Sequence, residues 1–147
     1  MMKTYYIVSG GFDPIHEGHL AMIKEARENS DGVILLLNSD DWLIRKKGRN
    51  FMNFKTRRMI GENLKGVVDV LGFDDSDNSA SAGIREVRRR YPDVRLVFAN
   101  GGDRNKENIP ETSVCRECSV EMKFGVGGEN KANSSSWILR RWDEEGK

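Results

Sequence analysis

Tyr5-Tyr6-Ile7-Val8-Ser9-Gly10-Gly11-Phe12-Asp13-Pro14-Ile15-His16-Glu17-Gly18-His19-Leu20 is the stretch on which the fold turns. Tyr5 to Val8 read as a short buried strand, whereas Leu20, Ala21, Met22, Ile23 and Ala26 have the spacing of an amphipathic helix. The residues between them therefore form a strand-to-helix turn. At the end of a parallel strand, such a turn aims backbone N–H groups and the positive end of a helix dipole at one place, which suits phosphate. The turn holds both histidines of the 147-residue chain. Lying three positions apart at a helix start, His16 and His19 share one face. Gly18 between them offers no side chain, so a ligand can approach the backbone closely. The bland reading is a turn with two incidental surface histidines. The glycines, the Asp13-Pro14 turn and the preceding strand favour a site.

Outward from this turn the chain alternates strand and helix signals. Gly32 to Asn38 is an apolar run of central-strand type, ended by Ser39-Asp40-Asp41, and Arg45 to Arg49 read as a basic loop. Asn53 to Leu64 form a helix from an Asn cap, and Val67 to Phe73 a third strand. Asp74 to Ser81 are an acidic loop, Ala82 to Tyr91 a helix closed by Pro92, and Val94 to Ala99 a fourth strand. Asn100-Gly101-Gly102-Asp103 then follows at the carboxyl end of that strand. A short helix around Pro110 to Cys118, a fifth strand over Val120 to Phe124 and a glycine-rich loop come next. Asn133 to Ser136 read as the cap and first turn of a last helix through Trp137, Ile138, Leu139 and Trp142, with 143–147 a frayed acidic end. The expected architecture is a doubly wound, Rossmann-like α/β domain over 1–147, with a five-stranded parallel sheet and helices on both faces.

Composition narrows the function. A net charge of +1 argues against a nucleic-acid binder with a broad basic surface, and no apolar run is long enough to span a bilayer. The N-terminus enters strand pattern without a signal-peptide layout, so a cytoplasmic location is expected. Cys115 and Cys118 form a single Cys-x-x-Cys far from the histidines, which favours reduced thiols over zinc or a redox pair.

Gly10 to His19 match Gly-x-Phe-Asp-x-x-His-x-Gly-His, the opening signature of the cytidylyltransferase-like nucleotidyltransferase superfamily, which this sequence resembles over nearly its whole length. The similarity continues through Asn38-Ser39-Asp40, Lys46 or Lys47 with Gly48 and Arg49, Arg57-Arg58-Met59, Gly101-Gly102-Asp103 and Ser134-Ser135-Ser136. Within the superfamily it is most similar to single-domain enzymes acting on glycerol 3-phosphate with CTP, and to the adenylyltransferase domain that makes ADP-heptose. Two departures stand out. Glu129 to Ser134 replace the Arg-Thr-x-Gly-Ile-Ser signature of the glycerol-phosphate group, leaving Lys131 as the nearest cation, and Asn100 stands where the heptose group has lysine.

The resemblance implies transfer of a nucleoside monophosphate from CTP or ATP to a small phosphorylated polyol or sugar, with Mg²⁺ and release of pyrophosphate. It implies that His16 and His19 hydrogen-bond the oxygens around the transferring phosphorus, and that the backbone of Gly10, Gly11 and Phe12 approaches the nucleotide phosphates. Lys46 or Lys47 would bridge donor and acceptor phosphates, with Arg49 and Arg57 on the acceptor phosphate. The alternative for this basic run is a solvated loop. Asp13 either fixes the turn or meets magnesium through water, and no side chain is expected to ligate the metal directly. Gly101 and Gly102 would let the base lie against backbone, and Asp103 would meet the ribose or a metal-bound water. Ser134, Ser135 and Ser136 would hold the departing phosphates, and Trp42 would border the acceptor. A homodimer fits the habit of the single-domain relatives. Two other readings stay open: an adenylyltransferase on a cofactor precursor of nicotinamide mononucleotide or phosphopantetheine type, and a nucleotide-binding module without turnover.

Overall fold

The computed structural model describes residues 2–101, 109–128 and 135–145. Its centre is a five-stranded sheet in the order β3-β2-β1-β4-β5, formed by β1 (Thr4–Gly10), β2 (Gly32–Leu37), β3 (Val67–Gly72), β4 (Arg95–Ala99) and β5 (Glu121–Lys123). Every pairing is parallel, including Ile7 with Ile34 and with Phe98 in the middle of the sheet. The chain winds outward from β1 to β3, then returns to lay β4 on the other side of β1. That reversal opens a crevice at the carboxyl ends of β1 and β4, where open α/β sheets take their ligands.

Helices cover both faces, so strand residues alternate between two apolar cores. Ile7, Ile34, Leu36 and Phe98 pack with Ile84 and Val87 of α4 (Ser81–Arg90) and Val114 of α5 (Thr112–Glu117). Tyr6, Val8, Leu35 and Val97 pack on the other face with Ile23 and Ala26 of α1 (Glu17–Glu28) and against Phe54 of α3 (Phe54–Glu62). All six residues of β2 are buried, the pattern of a strand covered on both sides. The doubly wound parallel fold expected from the alternating pattern is the one observed.

Local differences have physical causes. Residues 40–47 are not a strand terminator followed by a basic loop but a helix, α2 (Asp40–Lys47). The Ser39 side chain accepts from Trp42 N at its start, and Gly48 closes it in the left-handed region at φ 87. With only Leu43 buried on this short helix, it carries little hydrophobic periodicity. β5 is three residues long because its pairing with β4 runs only from Val97–Glu121 to Ala99–Lys123. The final helix, α6 (Ser135–Glu145), continues through the segment expected to fray, although 146–147 lie outside the described residues. Cys115 is a buried free thiol whose pKa burial pushes up to about 12, with Glu111 and Cys118 adding to it, so it stays protonated. Among the described residues no helix is long and apolar enough to cross a membrane.

Ile84 is fully buried whereas Ile44 on α2 is 47% exposed. Ile84→Ala should therefore cost about 2–5 kcal/mol and Ile44→Ala under about 0.5 kcal/mol. Urea unfolding of the two variants checks this, and equal losses would contradict the two-core packing.

Candidate active site

The turn after β1 is held rigid by residues distant in sequence. Asp13 is buried, and its carboxylate accepts from Phe51 N through Oδ2 and from Met52 N through Oδ1, both at 2.6 Å. These charge-assisted bonds bind the first turn to the segment leading into α3. Of the two roles open for Asp13, fixing the turn is therefore the one its contacts show. Gly11 lies under α2, where a Cβ would come within 2.8 Å of Leu43 Cδ2, so a side chain there would force the buried Leu43 side chain to shift.

Arg57 departs from its expected place on an acceptor phosphate. It is 2% exposed, and its Nη1 donates to Gly11 O at 2.9 Å and Asn38 O at 2.7 Å, while Nε donates to Met52 O at 3.1 Å. Its Nη2 meets Asp40 Oδ1 at 2.8 Å. A guanidinium has five N–H donors, and these contacts consume four of them. Arg57 thus joins the ends of β1 and β2 to the starts of α2 and α3, a role for which burial and fork geometry are suited.

The histidines interlock. His16 caps α1: its Nδ1 accepts from Gly18 N at 3.0 Å, while His19 Nδ1 accepts from His16 N at 3.2 Å. The reciprocal pattern is a capping box built from two imidazoles. An imidazole nitrogen that accepts carries no proton, so both rings are left with Nε2–H as donor. The rings stack with centroids 3.8 Å apart, and the Phe12 ring lies 4.5 Å from His19. Burial, aided by His16 and Lys47, lowers the His19 pKa to about 3. His19 is therefore a neutral donor at physiological pH.

Cations gather on the β2 side. Lys47 Nζ donates to Asp13 O at 3.2 Å, and burial lowers its pKa, with Lys46 and Arg57 adding to the effect and Asp13 opposing it. Lys46 Nζ lies 4.6 Å from the centre of the Trp42 ring. Arg49 is exposed, with Nη2 4.0 Å from Asp143 Oδ2 of α6. The structure therefore gathers Lys47, Asp13 and the histidine turn at the carboxyl edge, whereas Arg49 projects into solvent.

Sequence reasoning missed Asp75, a buried carboxylate in the acidic loop. Its Oδ2 accepts from Ser39 N at 2.7 Å and Asn38 Nδ2 at 3.1 Å, and its Oδ1 from Ser39 Oγ at 2.7 Å. Nothing in the local pattern separates it from Asp74 or Asp77. Beyond β4, Gly101 faces Met22 of α1, and Gly127 at φ 86 lies so close that a Cβ would meet Met22 N at 2.8 Å. Gly102, Asp103, Lys131 and Ser134 lie outside the described residues, and Ser135 and Ser136 are described only as the first turn of α6. Among the described residues no group of three His, Cys, Asp or Glu side chains could hold a metal ion.

A family model described as cytidylyltransferase-like matches residues 7–126. The chain is 35% identical over 104 residues to the bifunctional protein HldE of Hyphomonas neptunium, covering 69% of this chain and 20% of that protein. It therefore spans about a fifth of this relative's length. It is 29% identical over 118 residues to the FAD synthase of Aciduliprofundum boonei, covering 80% of this chain and 73% of the synthase. A bifunctional NMN adenylyltransferase/ADP ribose pyrophosphatase from Francisella tularensis, solved with AMP and a Mn ion, shares the fold. It superposes with a TM-score of 0.63 at 16% identity, over 97% of this chain and 42% of that one.

The lowered His19 pKa has a defined pH signature. Between about pH 3 and its ordinary value of 6.5 the unfolded chain binds a proton at this position that the native chain refuses. Stability should therefore fall as pH drops through that window and level off below it. Urea unfolding from pH 4 to 7 should show this slope in the wild type and a shallower one in His19→Gln. An identical slope would mean that His19 titrates normally. Arg57→Lys, which keeps the charge but cannot reproduce the fork and leaves buried carbonyls unpaired, should cost about 1–3 kcal/mol in the same assay at pH 7.

Proposed function

The chain belongs to the cytidylyltransferase-like family of nucleotidyltransferases, and from that premise we propose that it transfers a nucleoside monophosphate from CTP or ATP to a small phosphorylated polyol or sugar. The observation that carries this reading is the histidine interlock, which presents two Nε2–H donors at a helix N-terminus on the crevice edge. An acceptor phosphate oxygen bonds to the α-phosphorus as the bond from that phosphorus to the bridging oxygen breaks, and pyrophosphate leaves with the electron pair. The nucleophile is already anionic, so no strong general base is needed. The protein's task is to hold several negative charges together and to meet the charge that grows at the transferring centre.

His16 and His19 suit that task as hydrogen-bond donors to the non-bridging oxygens. Lys47, anchored at Asp13 O, supplies a cation between donor and acceptor phosphates. Lys46 and Arg49, both exposed, are the further cations that reach an incoming acceptor. The Asp13 and Arg57 network keeps these groups fixed, so little reorganisation is needed as charge shifts. Mg²⁺ enters with the triphosphate as part of the substrate. This fits the Asp13 carboxylate, which is already engaged by Phe51 N and Met52 N. The nucleotide-side roles of Gly101, Gly102, Asp103, Lys131 and Ser134 to Ser136 belong to the same reading.

Adenylyl transfer to a cofactor precursor is the second reading, favoured by the match that covers 73% of an FAD synthase. Pyrophosphate release, with CTP and ATP crossed against glycerol 3-phosphate, heptose 1-phosphate, nicotinamide mononucleotide, phosphopantetheine and FMN, separates the two. Release with one polyol or sugar phosphate is expected. Release with a cofactor precursor alone would install the second reading, and nucleotide binding without release on any acceptor would mark a non-catalytic module.

His16→Ala and His19→Ala should each lower kcat on the order of 100-fold to 1,000-fold, as for loss of a transition-state donor, with a much smaller change in nucleotide KM. A loss confined to KM would assign the histidines to ground-state binding.

A further inference from the structure

Asn100, at the carboxyl end of β4, is 2% exposed, and its Oδ1 is the one buried side-chain oxygen or nitrogen without a hydrogen-bond partner among the described residues. Native interiors seldom leave such an atom unpaired. Its orientation is fixed. Nδ2 is turned toward Phe98 O at 3.3 Å and Lys123 O at 3.5 Å, so flipping the amide would set Oδ1 against two carbonyl oxygens. The backbone is pinned as well: Asn100 N donates to Lys123 O at 2.8 Å, and Asn100 O accepts from Val126 N at 3.0 Å. A rigid, desolvated acceptor is thus held next to Gly101, at the edge of the crevice.

The sheet order says which part of a ligand lies there. Lys46, Lys47 and Arg49 follow β2, on one side of β1, and β4 is on the other. With the phosphates held at the histidine turn and the acceptor phosphate drawn to the cations, the nucleoside extends toward β4. Phosphate oxygens only accept, so Oδ1 cannot be satisfied by them. It needs an N–H or O–H. Resting on the transferase reading, we infer that Asn100 Oδ1 accepts a hydrogen bond from the nucleoside of the bound triphosphate, which makes Asn100 a specificity-determining residue. ATP and CTP each carry an exocyclic amine. ITP and UTP carry a carbonyl oxygen at the same position, which would meet Oδ1 acceptor to acceptor. The ribose hydroxyls are the other donors within the same moiety.

Calorimetric titration tests this with wild type and Asn100→Leu, using ATP, ITP, CTP, UTP and the 2′-deoxy and 3′-deoxy forms of the tighter binder. Asn100→Leu keeps the branched four-atom outline at a larger volume and removes the orphan acceptor together with the long Nδ2 contacts, so the thermal midpoint of the free protein should change little. Wild type should favour the amine-bearing base over its carbonyl counterpart by roughly tenfold, and the variant should lose that preference. If the deoxy forms carry the tenfold loss instead, and the variant abolishes it, the donor is a ribose hydroxyl and the inference stands. Unchanged selectivity in the variant, above all with a lowered midpoint, would mark a structural amide and overturn it. Should the variant fail to fold, the wild-type panel still decides, because equal affinity across all analogues overturns the inference. Equal affinity with pyrophosphate release retains the transferase reading, whereas a wild type that binds no nucleoside triphosphate loses both.

Discussion

Arg57 occupies a position where the carboxyl ends of two neighbouring strands must be held against two helix starts, and its guanidinium supplies the donors that make this possible. Gly11 O and Asn38 O come from the turns after β1 and β2, Met52 O from the approach to α3, and Asp40 from the first turn of α2. Carbonyls at strand ends have lost their ladder partners and must be paired if buried. A buried cation survives there only because Asp40 and those carbonyls surround it. Asp13 performs the complementary task, collecting the N–H groups of Phe51 and Met52. One residue gathers acceptors and the other donors, and the segment from 50 to 53 is clasped between them. The histidine turn, Lys47 and the start of α3 owe their relative positions to this arrangement.

The fold was legible because its strands are buried on both sides and its main helices are amphipathic. Gly32 to Leu37 is an unbroken apolar run, and Ile84 with Val87 repeats at helical spacing, so both levels of pattern agree. α2 was illegible for the opposite reason: it is short, and its apolar residues Trp42, Leu43 and Ile44 are consecutive. Its ends were nonetheless written in the chain, as Ser39 before two aspartates and Gly48 after two lysines. At the site, the histidine turn could be read directly because its residues are contiguous. Arg57 and Asp75 could not, since each draws its meaning from partners brought together by the sheet crossover. A conspicuous arginine in a basic sequence reads as a ligand contact until burial shows that its donors are already taken.

The relatives fit this picture at two levels. The family match from residue 7 to 126 takes in both strand ends that border the crevice and the turn that carries the histidines. The 20% of the HldE relative and 73% of the FAD synthase that are matched place one similar segment within proteins of different extent. On the proposed reading, Asn100 and the cations after β2 are the features that would set this chain's preference.

The capping box of α1 has an evolutionary consequence. Functional groups usually impose local frustration, and a protein tolerates them at the expense of stability. Here the two imidazoles fill the role that serine and glutamate fill in an ordinary helix start, so the same nitrogen atoms that begin the helix also determine which tautomer each ring adopts. Drift at either position is opposed from two directions at once. An aspartate at position 16 would satisfy the helix and its dipole but present no donor, whereas a histidine moved one residue along would present a donor and leave the helix uncapped. On the proposed transferase reading, the demands of folding and of chemistry thus fall on one pair of side chains, and a lineage that relaxed one demand would still be held to the pattern by the other.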